Sequence, residues 1–169
     1  MDIASLLSGF LSWSQEIAGT WGYLGIFIVN FIGSATIIFP IPAFLVVFLF
    51  GAVLNPWLVG ISAALGAVLG ELTGYAVGLG GKKVIEKKYE HLLKKANGWM
   101  EKYRAFFIIT LFAATPLPDD VIGIICGAIR YDLKKFFLAS LTGKLIMNIS
   151  LAFGGYFGMQ WVLTVFGGI

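Results

Sequence analysis

The sequence predicts an all-α integral membrane protein in which two opposed re-entrant helical hairpins pack with spanning helices in an inverted repeat. Three observations carry this. First, 59% of the residues are hydrophobic, only 12% are charged, and the mean hydropathy is +0.90. The charged share is about half that of soluble domains, so a soluble helical protein is excluded and one membrane domain is expected. Second, the stretch from Ala105 to Ile129 is as apolar as a span, yet its middle reads Pro116-Leu117-Pro118-Asp119-Asp120. A straight span would set two carboxylates near the bilayer centre, at roughly 2.5–3.5 kcal/mol each, with prolines breaking its hydrogen-bond ladder. Third, both flanks of that stretch are basic: Lys102 and Arg104 before it, Arg130, Lys134 and Lys135 after it. Basic flanks mark the cytoplasmic side, so the stretch is expected to enter from that side, turn at the prolines and return. Each arm of about ten residues covers roughly 15 Å, half of a ~30 Å hydrocarbon core. Irregular backbone at that depth needs surrounding protein or a water-filled cavity, so the tip implies a polar cavity.

Residues 1–20 carry Ile3, Leu6, Leu7, Phe10, Leu11 and Trp13 at helical spacing. They are expected to form an interfacial helix on the outer side, with a tilted span as the competing reading. MDIASLLSGF lacks a basic n-region, which argues against a cleaved signal peptide. A membrane domain is expected over 21–158. Within it, hairpin 1 occupies about 21–57. It is broken by Pro40-Ile41-Pro42, with Trp21, Asn55 and Trp57 at the outer interface. PIPAFLVVFLFGAV and PLPDDVIGIICGAI share Pro-x-Pro, eight residues, then Gly-Ala-aliphatic, which reads as an internal repeat. Pro40, Pro42, Pro116 and Pro118 are the expected hairpin tips.

A span is expected over 58–80. Gly66, Gly70, Gly74 and Gly78 recur every four residues there and form a ridge that admits a close neighbour. Glu71 lies beside the ridge. A mid-span glutamate is costly, so it is assigned to a cavity or a partner, with a hydrated interfacial position as the alternative. Eight of the twelve Lys and Arg residues lie between Lys82 and Arg104, giving 81–104 a net charge of +5. Ile85, Tyr89, Leu92 and Ala96 share one helical face, so this segment reads as a cytoplasmic helix lying on the membrane and ending near Gly98. His91 is expected to be a surface residue. Hairpin 2 follows at 105–130. The last span is expected over 136–157, with Ser140, Lys144, Asn148 and Tyr156 forming a polar stripe. Lys144 either snorkels to the headgroups or faces the cavity. The tail, 159–169, is placed at the outer interface. Cys126 has no intramolecular partner and reads as an apolar filler.

These residues resemble the DedA family, also called the VTT or SNARE-associated Golgi protein family. The matching pieces are Pro40-x-Pro42 followed by Gly51, and LGAVLGELTGYAVGLGGKK at 65–83. Gly127, nine residues after Pro118, and a following helix that opens on Lys and Phe also match. The resemblance covers roughly 20–158. It implies two opposed re-entrant hairpins, phospholipid scrambling as in eukaryotic members, and polyprenyl-phosphate recycling and proton-dependent membrane homeostasis as in bacterial ones. Two positions depart from many bacterial members. Gly33, Ser34 and Ala35 stand where an acidic residue precedes the first tip. Ala113, Ala114 and Thr115 stand where an arginine leads into the second.

The expected function is translocation of phospholipid or polyprenyl-phosphate headgroups, as a scramblase or flippase, along Glu71, Asp119, Asp120, Lys144 and Asn148. The alternative is proton- or cation-coupled transport of a small solute, because carboxylates in a low-dielectric cavity hold protons readily. Helix capping, at about 0.5–2 kcal/mol, accounts for one of the two aspartates more readily than for both. No HExxH, G-x-S-x-G or phosphate-binding glycine loop occurs, so an enzyme is not expected. The expected partners are membrane lipids, with protons or a monovalent cation if transport is coupled; a homo-oligomer is compatible with the sequence. Nucleic acid, metals and cofactors are not expected. The expected location is a cell membrane, multi-pass, of prokaryotic plasma-membrane type.

Overall fold

The computed structural model describes residues 21–35, 43–102, 105–115 and 119–166; side chains at 82–97, 99–102, 119, 120 and 166 lie outside that description. The described residues form six helices and no strand: α1 (Trp21–Ala35), α2 (Ala43–Val53), α3 (Pro56–Lys102), α4 (Ala105–Ala113), α5 (Asp119–Ala128) and α6 (Leu133–Phe166). Two stretches are long and apolar enough to cross a membrane, Pro56–Gly81 in α3 and Leu133–Val165 in α6. The expected N-terminal helix over 1–20 and the tips at Pro40, Pro42, Pro116 and Pro118 fall outside the described residues.

Both long helices start on a side-chain cap. Asn55 Oδ1 accepts from the amides of Trp57 and Leu58 at 3.0 and 3.3 Å, with Pro56 in the first helical position. Asp132 Oδ1 accepts from the Lys135 amide at 2.8 Å. These caps satisfy amides that the helices leave unpaired.

Contacts fix the directions. Trp57 meets Phe153 edge-on, Gly60 lies against Ile149, and Tyr75 meets Phe136 with ring centroids 5.2 Å apart, so α3 and α6 are antiparallel. Going along α1, Tyr23 accepts from Ser62, and Phe27 and Phe31 pack on Gly66 and Gly70. Hence α1 runs parallel to α3. Thr110 Oγ1 donates to Ala139 O at 3.1 Å, and Thr110 and Ala113 lie against Gly143, which makes α4 parallel to α6. Gly123 faces Glu71 and Tyr75 while Gly127 faces Tyr75 and Leu79, which makes α5 parallel to α3. It follows that α4 and α5 form an antiparallel pair. The short turn at Leu54 and Asn55 reverses the chain between α2 and α3.

The pairs are exchanged between the two long helices. Helix α1 packs on α3 and α4 on α6, whereas α2 packs on α6 and α5 on α3. The closest crossings match residue for residue. A β-carbon on Gly127 would overlap the Tyr75 carbonyl, and one on Gly51 the Ala152 carbonyl. A β-carbon on Gly78 would overlap the Ile124 carbonyl, and one on Gly155 the Phe48 carbonyl. Matched positions, including the caps Asn55 and Asp132, lie 76 or 77 residues apart. Gly66, Gly70 and Gly78 each meet facing backbone, and Gly74 is buried. Two apolar clusters flank the centre. One joins Tyr75, Ile109, Cys126, Phe136 and Ala139; the other joins Ile26, Val47, Val59, Ala63 and Ala152.

The ends differ chemically. Trp21, Trp57 and Trp161 are all more than half exposed on the side where α3 begins and α6 continues. Tyr131 and Arg130 sit at the other end, where Tyr75 Oη donates to Tyr131 O. Helix α5 stops there in a paired cap: Arg130 N donates to Gly127 O at 3.0 Å and Tyr131 N to Cys126 O at 2.8 Å. Arg130 takes the left-handed position with φ 57°, which glycine usually fills.

Two boundaries differ from the sequence reading. The span and the basic segment, expected as separate helices, form one helix of 47 residues that passes Gly98 and ends at Lys102. A glycine in a helix interior costs only about 1 kcal/mol, and the Lys, Glu, Leu and Ala around it favour helix. This helix cannot be straight. From Gly81 to Lys102 is roughly 32 Å of helix. Yet Ala105, at most about 11 Å of chain further on, packs at the Tyr75–Phe136 cluster. The basic part therefore bends away from the α3 axis, and the Gly80–Gly81 pair is a position that permits it. Likewise α6 runs to Phe166 rather than stopping at 157, because Met159 to Val165 continues the apolar helix.

Gly78→Ala or Gly127→Ala is expected to destabilise by about 1–3 kcal/mol through overpacking against backbone. Gly98→Ala, with nothing within 4 Å of the added carbon, is expected to be neutral or to stabilise by up to about 1 kcal/mol. Thermal unfolding in detergent measures both.

Candidate functional site: a buried ion pair between the two long helices

Among the described residues, buried charge occurs at one place. Glu71 on α3 and Lys144 on α6 are buried, with Lys144 Nζ 2.8 Å from Glu71 Oε1. Glu71 is fourteen residues from Trp57 and ten from Gly81, so roughly 21 Å and 15 Å along the helix from the two ends. The pair is therefore near mid-depth of the apolar stretch. Lys144 points inward and does not reach for the end of the helix; of the two sequence readings, snorkelling is the one set aside.

Ser140 and Asn148 lie one turn either side of Lys144 on the same buried face, at 1% and 5% exposure. Asn148 Nδ2 donates to Lys144 O at 2.9 Å, which satisfies its amide and holds the stripe together. Ala152 continues the face into the apolar cluster and Tyr156 is half-buried. Asn148 also stands 77 residues after Glu71, the offset that relates the matched crossings. Asn30 on α1 is a further buried polar residue, with Nδ2 donating to Ile26 O at 2.8 Å.

Helix α5 covers the Glu71 side. A β-carbon on Gly123 would sit 3.5 Å from both Glu71 O and Tyr75 N. Because α5 runs parallel to α3, its first residues, Asp119 and Asp120, lie about one turn before Gly123. Their backbones are thus within about one turn, 5.4 Å, of the depth of Glu71. Ala113, just before the break between α4 and α5, is buried against Gly143.

Sequence reading singled out Glu71, Lys144 and Asn148 but assigned Lys144 no partner. The structure brings Lys144 to Glu71. The signal was present. Glu71 lies eleven residues before Lys82, and Lys144 nine residues after Lys135, so antiparallel helices with basic ends on one side put both at one depth. Ser140 was noted only as part of the stripe, and Asn30 was missed, because a single asparagine in an apolar run carries no periodic signal.

An ion pair in this setting is a large local commitment. Removing water from two charges costs several kcal/mol per ion, and their attraction offsets it only when geometry is good. Chemically, the site is neutral overall and holds one cation, one carboxylate, an amide and a hydroxyl. Among the described residues no cluster of His, Cys, Asp and Glu suits a metal ion.

Two helices long and apolar enough to cross a membrane, with large apolar side chains exposed along both, are consistent with an integral membrane protein. Residues 41–157 match the VTT domain, and the chain belongs to that family, the DedA family of the resemblance above. It is 26% identical over 117 residues to Inner membrane protein YqaA of Escherichia coli (strain K12), covering 69% of this chain and 79% of YqaA. It is 29% identical over 136 residues to Uncharacterized protein MJ0201 of Methanocaldococcus jannaschii, covering 76% of this chain and 80% of that protein. Against Vacuole membrane protein KMS2 of Arabidopsis thaliana it is 35% identical over 103 residues, half of this chain and 24% of KMS2. No solved structure matches the chain.

Glu71→Gln and Lys144→Met are each expected to destabilise by about 3–5 kcal/mol, since each strands a buried charge. The double variant Glu71→Gln/Lys144→Met is expected to regain most of that loss. Unfolding measurements on the four proteins of the cycle give the coupling; additive losses would contradict the pair.

Proposed function

We propose that this protein is a multi-pass lipid translocase that passes phospholipid or polyprenyl-phosphate headgroups through a polar intramembrane cavity. The observation that carries the reading is the Glu71–Lys144 pair with Asn148, at mid-depth, covered by α5 and joining the two long helices. A packing role alone does not require such groups, because apolar replacements of a buried pair are often neutral or stabilising. Intramembrane ionisable residues generally mark substrate or ion paths.

The exchanged packing of α1–α2 and α4–α5 supports reading the chain as an inverted repeat with two re-entrant hairpins. In such folds the path lies at mid-membrane between the repeats. The tryptophans at one end and the basic residues at the other support an orientation with Arg130 and Lys134 on the cytoplasmic side. Membership of the VTT family and the similarity to an inner membrane protein support a multi-pass location in a prokaryotic plasma membrane. In this reading Lys144 and Asn148 offer hydrogen bonds to a headgroup as it leaves water, and Glu71 keeps Lys144 neutralised when no headgroup is present. Asp119 and Asp120 sit at the start of α5 and set the charge of the approach.

A second reading is proton- or cation-coupled transport of a small solute. It is favoured by the depth of Asp119 and Asp120, whose backbones lie near the level of Glu71. In that case a pH gradient drives uptake that Asp119→Asn or Asp120→Asn abolishes.

Vesicles containing the protein and a fluorescent phospholipid test the first reading. Inner-leaflet label is expected to become accessible to an external quencher. The folded double variant Glu71→Gln/Lys144→Met is expected to slow this at least about tenfold, equivalent to roughly 1.4 kcal/mol on the barrier. Accessibility no greater than in empty vesicles would count against lipid translocation.

A further inference from the structure

A groove of about 440 Å³ opens on the outside of α6, lined by Phe44, Ala114, Ile146, Met147, Ser150 and Leu151. Phe44 is in the first turn of α2 and Ala114 lies just past the end of α4. The groove thus sits where the inner ends of the two helix pairs approach one helix. Its floor, residues 146–151 of α6, is at the same depth as Lys144 and Asn148, which occupy the neighbouring, buried face of that helix. Among the described residues, Ser150 is its one polar side chain and no charged residue lines it.

We infer that this groove seats the hydrocarbon chain of a membrane lipid, resting on the translocase reading above. Three observations select this occupant. Four of the six lining residues fall within the apolar stretch Leu133–Val165 and the other two are Phe44 and Ala114, so among the described residues a headgroup or a free solute finds no partner there beyond one hydroxyl. The space is too small for a helix from another chain: with side chains a helix is about 10 Å across, so roughly one turn would fill 440 Å³. A single hydrocarbon chain is about half as wide as a helix and runs along such a groove. Finally, polar and apolar binding surfaces stand side by side on one helix at one depth, and a lipid is the class of molecule that carries both chemistries. A small water-soluble solute would use the Glu71–Lys144 side and leave the groove without a role.

The inference assigns Met147 and Phe44 to chain contact. Methionine suits this, since its flexible, polarisable side chain adapts to chains of differing shape. A tryptophan at 147 would occupy the groove while leaving the ion pair on the other face untouched.

The test is photo-labelling of the full-length protein in phosphatidylcholine vesicles, using a phosphatidylglycerol with a diazirine near the end of one acyl chain. Labelled residues are read by mass spectrometry. Label is expected to concentrate several-fold on Ile146, Met147 and Leu151 over Ile61 and Leu65, exposed residues of α3 at about the same depth. Met147→Trp is expected to remove that excess without lowering the unfolding temperature, and to slow lipid translocation while binding of water-soluble glycerol phosphate is unchanged. Label no stronger on these residues than on Ile61 and Leu65 overturns the inference, even where translocation is observed. So does a Met147→Cys variant that forms disulfide-linked dimers in the bilayer, because a second copy then covers the groove. Concentrated label in a protein that moves no lipid leaves the chain site standing and removes only the translocase reading.

Discussion

Two opposite charges locked together in an apolar interior set the terms for the rest of this molecule. Glu71 and Lys144 remain ionised at mid-depth only where protein or a water-filled cavity surrounds them. Two long helices supply two walls. The short helices supply the others: α1 ends at Ala35 against Gly70, and α4 at Ala113 against Gly143. The arrangement of α1–α2 and α4–α5 around α3 and α6 follows from this need for a cover, and so does the demand for glycine where the cover touches.

Those glycines make the cover close. At Gly51, Gly78, Gly127 and Gly155 a helix backbone rests directly on a neighbouring carbonyl. In a membrane, where lipid is as apolar as leucine, close contact of this kind supplies much of what holds helices together. The crossings recur with one offset along the chain, as do the caps at Asn55 and Asp132, so both halves solve the same packing problem with the same residues. They differ in polarity. The position matching Glu71 in the second half is Asn148, and Ala43 and Phe44 match Asp119 and Asp120.

Much of this was legible in the sequence. The break in the apolar stretch after Ala113, the spacing of small residues on α3 and the polar stripe on α6 follow from composition and periodicity, and each has a structural counterpart. What the sequence concealed has physical reasons. The partner of Lys144 depended on the relative depth of two antiparallel helices, which no local pattern encodes, although the distances to the basic ends recorded it indirectly. The continuity of α3 was hidden because the change to basic residues after Gly81 and the glycine at 98 suggested boundaries, whereas an isolated glycine only weakens a helix whose other residues favour it. The exchange of partners between α2 and α5 was foreshadowed by the repeated Pro-x-Pro motif, but the glycine contacts that define it involve residues from opposite ends of the chain.

The account depends most on the course of the chain around the ion pair: α4 and α5 must begin and end at the same face. With Cys126 replaced by alanine, single cysteines at Phe106, Ile129 and Trp57 and a membrane-impermeant maleimide measure this in oriented membranes. The account predicts that Phe106→Cys and Ile129→Cys react from one side and Trp57→Cys from the other. Reaction of Phe106→Cys and Ile129→Cys from opposite sides would contradict it.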